Sequence, residues 1–254
     1  MVKIILVSLV HNRKHLVGQA IQSAINQTLP KDKWIHLLID NASTDGADKV
    51  CEVFEKKYKH IHFVKMGINM HQMPAYNKAI DWIDVNYPEA EIMVHLDSDD
   101  ELKPMALESV LCMFEEHPEI GQTYSGFDII DKRGTIVHIN HAKARMVPNQ
   151  FSEDGQRTLR KLFVSANPIG HLRAMRLSCL RDIGGFDGSK RFATDYNMAG
   201  KMLEKYPVVK INKSLYRWRQ HNEQVERHHS KEQTQNWRDL QKYYRERWAE
   251  MRLI

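Results

Sequence analysis

Short apolar runs alternate with amphipathic segments along the first hundred residues. Residues 3–9 are almost continuously apolar, which is typical of a strand covered on both faces. Similar runs predict further strands at 34–39, 61–64 and 91–96. Between them, apolar side chains recur with helical spacing at 16–25, around Val50 and Phe54, and at 75–85. Repeated strand–helix units of this length predict an α/β fold with a mainly parallel sheet and right-handed crossovers.

The pattern changes after residue 100. We predict a helix over 102–114, then strands at 123–130 and 135–139 that a turn joins into an antiparallel hairpin. Residues 141–165 are polar and lack clear periodicity, so we interpret them as containing a loop. A strand at 171–177 and a helix at 194–203 follow. Because no repeat or low-complexity linker separates the two halves, the change near residue 100 is one of role within a single domain.

Positive charge is concentrated at the C-terminal end. The 254 residues carry a formal charge of +5, and arginine and lysine are frequent from Arg217 to Arg252. Within this segment a helical stripe is predicted at steps of three and four, formed by Trp237, Leu240, Tyr244, Trp248 and Met251. In order of preference, the stripe packs on its own domain or a second subunit, lies on an anionic membrane, or contacts nucleic acid.

The remaining composition indicates a cytosolic protein, peripheral to a membrane if the C-terminal helix binds one. No apolar run near the N-terminus is long enough for a membrane span, and no cleavage-site pattern marks a signal peptide. Cys51, Cys112 and Cys179 are scattered among apolar neighbours without metal-type spacing. Such cysteines are typical of small core residues.

The acidic tetrapeptide Asp97-Ser98-Asp99-Asp100 is the most informative chemical signal. It follows the predicted strand 91–96, and ligands of open α/β sheets bind at the carboxyl ends of strands. Three crowded carboxylates repel one another unless a cation or hydrogen-bond donors offset their charge. A hard divalent ion would do so and would also carry a substrate diphosphate. The alternative is an acidic turn in which Asp100 caps the helix predicted from Leu102.

Several motifs in a fixed order over residues 2–222 resemble the inverting family 2 glycosyltransferases with a GT-A fold. Besides the acidic tetrapeptide they are Val10-His11-Asn12-Arg13, Gln27-Thr28, residues 39–45, residues 69–77, Gly184-Gly185-Phe186-Asp187, Thr194-Asp195 and residues 216–221. Each motif is weak alone, but their joint order is specific and disfavours the acidic-turn interpretation. The resemblance implies a Rossmann-like, mainly parallel sheet sandwiched by helices, with a small antiparallel acceptor-side portion and a C-terminal helix.

The resemblance also implies transfer of a sugar from a nucleotide diphosphate, with UDP favoured, and Mn²⁺ or Mg²⁺ at a DXD-type motif. Asp99 and Asp100 are the expected metal ligands, and His221 either completes the shell or is a surface histidine. The expected nucleotide-sugar contacts are Asn12, Arg13, Asp40, Asn77, Asp97, Asp99, Arg217 and Arg219. For Asp40, expected at the base, the alternative is capping of the following loop. Asn77 likewise either positions the sugar or caps locally.

Asp195 is the expected general base. In an inverting transfer the acceptor hydroxyl attacks from the face opposite the diphosphate, so this carboxylate must lie across the site from the metal. Thr194-Asp195 resembles the catalytic acidic pair of the family, with Thr in place of the first carboxylate. The alternative is an ordinary aspartate that the helix dipole favours. The interpretation requires Asp195 to share one cleft with Asp99 and Asp100.

The sequence therefore predicts a metal-dependent inverting glycosyltransferase of the hexosyltransferase type. Residues 1–100 form the nucleotide-sugar half, 101–222 the acceptor half, and 223–254 a basic amphipathic helix. The expected acceptor is a glycan assembled for a cell surface. The alternatives are glycosylation of a modified DNA base and a nucleotide-sugar-binding module without catalysis. A nucleotidyltransferase is disfavoured because residues 10–14 contain no glycine for an activation loop.

Overall fold

The computed structural model describes residues 1–139, 147–188, 192–221 and 230–254. The strands in these ranges are β1 (Ile4–Val10), β2 (Trp34–Asp40), β3 (Ile61–Lys65), β4 (Ile92–His95), β5 (Glu101–Leu102), β6 (Gln122–Ile130), β7 (Ile136–His138), β8 (Ala174–Arg176) and β9 (Val208–Arg219). The helices are α1 (Val17–Ile25), α2 (Ala47–Lys57), α3 (Gln72–Asn86), α4 (Ala106–Glu116), α5 (Glu153–Phe163), α6 (Leu177–Asp182), α7 (Thr194–Lys205) and α8 (Ser230–Glu250). The predicted domain boundary after residue 222 lies outside the described residues.

The described strands form one sheet in the order β3-β2-β1-β4-β8-β6-β9-β5, and β7 pairs with β6. Strands β1 to β4 are parallel, which confirms the prediction for the first half. Beyond β4, the pairs β4·β8 and β8·β6 are antiparallel, whereas β6·β9 is parallel. The carboxyl ends of β1, β2 and β4 therefore lie along one edge of the sheet, where the acidic tetrapeptide follows β4.

Helices cover both faces of the parallel half. Ile5 and Val7 of β1 belong to a core cluster that α3 and α7 share, whereas Ile4 and Leu6 belong to a cluster that α1 and α4 close. All four side chains are fully buried. This two-sided burial explains why the first strand is almost continuously apolar and does not alternate. The α/β fold class is thus confirmed.

The segment after the acidic tetrapeptide differs from the prediction. Glu101 and Leu102 form β5 and pair with β9, so the helix predicted from residue 102 begins only at Ala106. Both carboxylate oxygens of Asp100 accept hydrogen bonds from β9 and are not available as an N-cap. The acidic-turn interpretation is therefore wrong in this respect, and the tetrapeptide is tied to a late strand of the chain.

Helix α5 was not predictable from periodicity, and it follows non-helical residues 147–152 in the segment that we predict to contain a loop. Its buried stripe contains the polar residues Gln156 and Arg160 beside Leu159 and Phe163. The Gln156 amide bonds both to the N–H and to the carbonyl of Val208, and the Arg160 Nε donates to a backbone carbonyl of α7. Because these partners satisfy their polar groups, Gln156 and Arg160 can be buried, and they interrupt the apolar pattern of the helix. Residues 140–146 lie outside the described residues.

The apolar stripe of α8 packs on the same domain, which was the preferred interpretation. Leu240, Tyr244 and Trp248 are buried, and the ring centroid of Trp248 lies 5.6 Å from that of Phe163. Met251 is 45% exposed and so does not share in this contact.

Of the cysteines, Cys51 and Cys179 are buried as predicted, whereas Cys112 is exposed. In the part of the chain that the structure describes, no helix combines the length and apolarity that crossing a membrane requires.

Trp248→Ala is expected to lower the free energy of unfolding by about 3–5 kcal/mol, because it removes a fully buried indole and leaves a cavity. Met251→Ala, directly after the same helix, serves as the control and should change this free energy by less than about 0.5 kcal/mol. Urea denaturation followed by circular dichroism measures both. Equal effects of the two substitutions would show that α8 does not pack on this core.

Candidate active site

A cavity of about 600 Å³ opens at the carboxyl ends of β1, β2 and β4. Among the described residues its charged lining consists of four carboxylates and two guanidinium groups, those of Asp97, Asp99, Asp100, Asp195, Arg13 and Arg173. Asp195 comes from the first turn of α7, whereas the other three carboxylates follow β4. The acidic residues that the sequence predicts to meet therefore line one cavity.

Asp99 is held by two basic side chains. Its Oδ2 accepts a hydrogen bond of 3.0 Å from the Arg13 Nε and lies 3.0 Å from the Nε2 of His221. Burial by itself raises the pKa of Asp99, but the hydrogen bond with His221 and the charge of Arg13 outweigh burial and hold this pKa below its usual value. Asp99 is therefore a carboxylate at neutral pH.

Asp100 is almost completely buried and has the opposite electrostatic character. Its Oδ1 accepts from the backbone N–H of Arg219 at 2.7 Å, and its Oδ2 accepts from the Tyr216 hydroxyl at 2.8 Å. The Tyr216 oxygen also accepts from the N–H of Asp97, so this tyrosine braces both ends of the tetrapeptide. Burial and the charges of Asp99 and Asp97 raise the pKa of Asp100 well above its usual value. The protonated form of Asp100 is thus favoured relative to an ordinary aspartate.

Two groups of side chains are suited to hold a divalent cation. Asp99 and His221 form the first, through the 3.0 Å approach of their side chains. In the second, Asp97, Asp100 and His171 each offer one ligand atom, all within 4.8 Å of one another. Burial and the charge of Arg173 lower the pKa of His171 well below its usual value, so its imidazole is neutral and has a lone pair for a metal. The predicted ligands Asp99, Asp100 and His221 are thus divided between the two groups.

Arg173 connects the two sides of the cavity, and sequence reasoning missed it. Its Nη1 lies 3.0 Å from the Oδ2 of Asp195, and its Nη2 lies 3.8 Å from the Oδ2 of Asp97. Burial alone would lower the pKa of this guanidinium, but the charges of Asp195 and Asp97 raise it, so Arg173 stays charged. The only sequence signal was an arginine two residues after His171, in the strand predicted at 171–177.

The residues after β1 and β2 that are expected to contact the nucleotide line the cavity only in part. Asn12 and Arg13 line the cavity, and the Asn12 Oδ1 accepts from the N–H of Thr44 at 2.8 Å. The Asp40 carboxylate is fully buried, lies outside the lining and accepts from the N–H of Ser43, which is the capping alternative. Asn41 lines the cavity instead, and its amide bonds to Asn69 and to the N–H of Met70.

Three expected donor contacts lie away from the cavity. The Asn77 amide bonds to the N–H and the carbonyl of Phe186, so it joins α3 to a distant loop. Arg217 pairs with Glu101 at 3.1 Å. Arg219 is 0% exposed, also pairs with Glu101, and donates to the carbonyls of Asp99, Asp131 and Lys132. These arginines fix loops around the tetrapeptide and are not part of the cavity lining.

A family model described as Glycosyl transferase family 2 matches residues 6–184. This chain belongs to that family. The resemblance that the motifs carry is therefore confirmed, and the match includes the acidic tetrapeptide. It ends before Asp195, so it does not assign this residue.

Curated relatives of this family 2 chain differ in length. The putative teichuronic acid biosynthesis glycosyltransferase TuaG of Bacillus subtilis (strain 168) is 22% identical over 211 residues, 82% of this chain and 80% of TuaG. The uncharacterized protein y4gI of Sinorhizobium fredii is 28% identical over 190 residues, 73% of this chain. The matched part is only 19% of y4gI, so the chain corresponds to a portion of that relative.

Solved structures share the fold. TarS 1–349 of S. aureus, in complex with UDP-GlcNAc, has a TM-score of 0.67 and 17% identity, covering 87% of this chain and 60% of that one. The mannosyltransferase PcManGT of Pyrobaculum calidifontis, with GDP-Man and Mn²⁺, has a TM-score of 0.59 and 19% identity, covering 85% and 56%. This similarity agrees with the GT-A type fold expected of family 2.

Arg219→Ala is expected to lower the free energy of unfolding by about 3–5 kcal/mol, because a buried ion pair loses one partner. Arg217→Ala is the matched control, since Arg217 pairs with the same glutamate but is partly exposed, and should cost about 0–1 kcal/mol. Chemical denaturation measures both. A larger loss for Arg217→Ala would contradict the structural role given to Arg219.

Proposed function

We propose that this chain is a metal-dependent inverting glycosyltransferase that moves a sugar from a nucleotide diphosphate, with UDP favoured, to a hydroxyl of a cell-surface glycan. The observation that carries the proposal is the single cavity in which the acidic tetrapeptide and Asp195 meet. TuaG, named for teichuronic acid biosynthesis, supports the glycan acceptor. The complexes of TarS with UDP-GlcNAc and of PcManGT with GDP-Man and Mn²⁺ support the donor and the metal.

On the donor side, Asp99 and His221 are the residues that we assign to the metal. Their side chains converge, and the pKa of Asp99 is lowered. In the described part of the chain only the Oδ2 of the Asp99 carboxylate is engaged, by Arg13 and His221, whereas both oxygens of the Asp100 carboxylate accept hydrogen bonds from β9. The bound ion would supply Lewis-acid stabilisation of the leaving nucleotide diphosphate. Arg13 contributes a guanidinium at the same point, and its planar donors suit a phosphate.

On the acceptor side, Asp195 acts as the general base. Its side chain is 43% exposed, so it is the most accessible of the four cavity carboxylates. As the acceptor oxygen bonds to the anomeric carbon, its proton passes to the Asp195 carboxylate and the bond to the diphosphate breaks. Attack opposite the leaving group inverts the configuration, so an α-linked donor gives a β-linkage.

Asp195→Asn is expected to reduce turnover by about 10²–10⁴-fold, because the amide cannot accept the acceptor proton. Release of nucleoside diphosphate is measured with Mn²⁺ and a panel of UDP-glucose, UDP-galactose, UDP-GlcNAc and GDP-mannose. Nucleotide affinity, measured by calorimetry, should be unchanged. Asp81→Asn, at an exposed position of α3, is the control and should retain activity. If the wild-type protein binds a nucleotide sugar but turns none over, it is a binding module and the proposed activity is wrong.

Asp99→Asn and His221→Ala are expected to raise the Mn²⁺ concentration for half-maximal turnover at least about 10- to 100-fold, since each loses a ligand. His117→Ala, at a partly exposed position that does not line the cavity, should not change this concentration. Metal titrations at saturating donor make the comparison. A shift confined to His171→Ala would instead assign the ion to the group of Asp97, Asp100 and His171.

A further inference from the structure

The backbone of Arg173 is fixed by the sheet. Arg173 directly precedes β8, whose Ala174 pairs with Val94 of β4. The Arg173 carbonyl accepts a hydrogen bond of 2.9 Å from the N–H of His95, which extends this antiparallel pairing by one residue. Arg173 therefore lies beside the last residue of β4, close to the start of the acidic tetrapeptide. Such a position is rigid compared with one in a surface loop.

The side chain of Arg173 reaches two carboxylates on different elements. Asp97 follows β4, whereas Asp195 belongs to the first turn of α7. The Arg173 side chain is 11% exposed and bridges them through its two terminal nitrogens. In the part of the chain that the structure describes, no other side chain is hydrogen-bonded to Asp195. The orientation of this carboxylate thus depends on Arg173.

A carboxylate needs such a partner to hold one orientation. The terminal torsion of an aspartate is broad, so a half-exposed carboxylate without a partner rotates freely. A charge-assisted bond from a rigid, planar guanidinium fixes it more strongly than a neutral bond would. Arg173 binds only Oδ2 of Asp195, so Oδ1 is not engaged by this guanidinium, and Asp195 lines the cavity.

We propose that Arg173 is a positioning residue that holds Asp195 at a fixed separation from Asp97, so that one carboxylate oxygen faces the acceptor hydroxyl. This inference rests on the proposed role of Asp195 as general base. The positive charge also separates two carboxylates that would otherwise repel each other across the cavity. A lysine at this position would keep the charge but lose the planar fork that reaches both partners.

The kinetic test compares Arg173→Gln and Arg173→Lys with the wild type under Mn²⁺ and the donor that the wild type uses. Arg173→Gln should lose about 10²-fold in kcat, since small misplacement of a catalytic group has an effect of this size. The affinity for UDP should be unchanged, and the loss should be smaller for lysine than for glutamine. Arg181→Gln, which breaks an exposed ion pair with Asp84, is the control and should retain kcat.

The double variant Arg173→Gln/Asp195→Asn separates positioning from a general structural effect. If Arg173 acts through Asp195, the double variant has the same residual kcat as Asp195→Asn alone. The inference would be overturned if the losses in kcat of the two single variants add up in the double variant. A kcat of Arg173→Gln that equals or exceeds that of the wild type would also overturn it. So would a loss of UDP affinity that parallels the loss of turnover, because Arg173 would then support the donor side.

The contact itself is tested without turnover. Melting temperatures of the wild type, the two single variants and the double variant form a double-mutant cycle. Non-additive shifts are expected if Arg173 and Asp195 interact, and additive shifts would contradict the contact. If the wild type turns over no donor although the cycle shows coupling, the proposed function and with it the catalytic role fail, whereas the contact stands.

Discussion

Repulsion among carboxylates is the constraint on which the site depends. Three of them follow one buried strand, and the tetrapeptide contains no positive residue of its own. The compensating donors come from other elements: Arg13 after β1, Arg173 before β8, and Tyr216 and the Arg219 backbone in β9. Since these elements are far apart along the chain, the acidic loop acquires its geometry only when the whole sheet has assembled.

The cavity carboxylates differ in exposure and in hydrogen-bond partners, and these differences suit them to different roles. Asp100 is buried, both its oxygens are satisfied, and its pKa is raised, so its contribution is to join the acidic loop to β9. Asp99 keeps a lowered pKa because of His221 and Arg13, which suits it to a cation. Asp195 is partly open to solvent, which suits the general base that we propose. The same side chain thus serves three purposes because its surroundings differ.

The parallel half was predictable because successive residues such as Ile5 and Leu6, which lie on opposite faces of the strand, are both apolar. The convergence of Asp195 with the acidic loop was predictable from the order of the motifs. Helix α5 was not predictable, since Gln156 and Arg160 are buried with backbone partners that no local pattern reveals.

The partners of the charged site residues were not predictable either. Arg219 has the residue type of a phosphate contact, but its donors are used by carbonyls of a distant turn. Likewise, Arg173 lies near Asp97 only because β8 pairs with β4. Residue types could be predicted as chemically important, whereas their partners depend on sheet topology.

Charge balance connects the architecture with the proposed chemistry. The described lining has four carboxylates against two guanidinium groups, and burial lowers the pKa of His95 and His171 so that neither imidazole adds charge. Were every carboxylate ionised, these groups would leave the cavity negative by the amount that one divalent cation neutralises, and the raised pKa of Asp100 reflects this crowding of negative charge. A nucleotide diphosphate without such an ion would bring further negative charge next to Asp97 and Asp99. Under the proposed function the cation must therefore enter before the donor or together with it, and Arg13 alone would not replace it because its charge is already shared with Asp99.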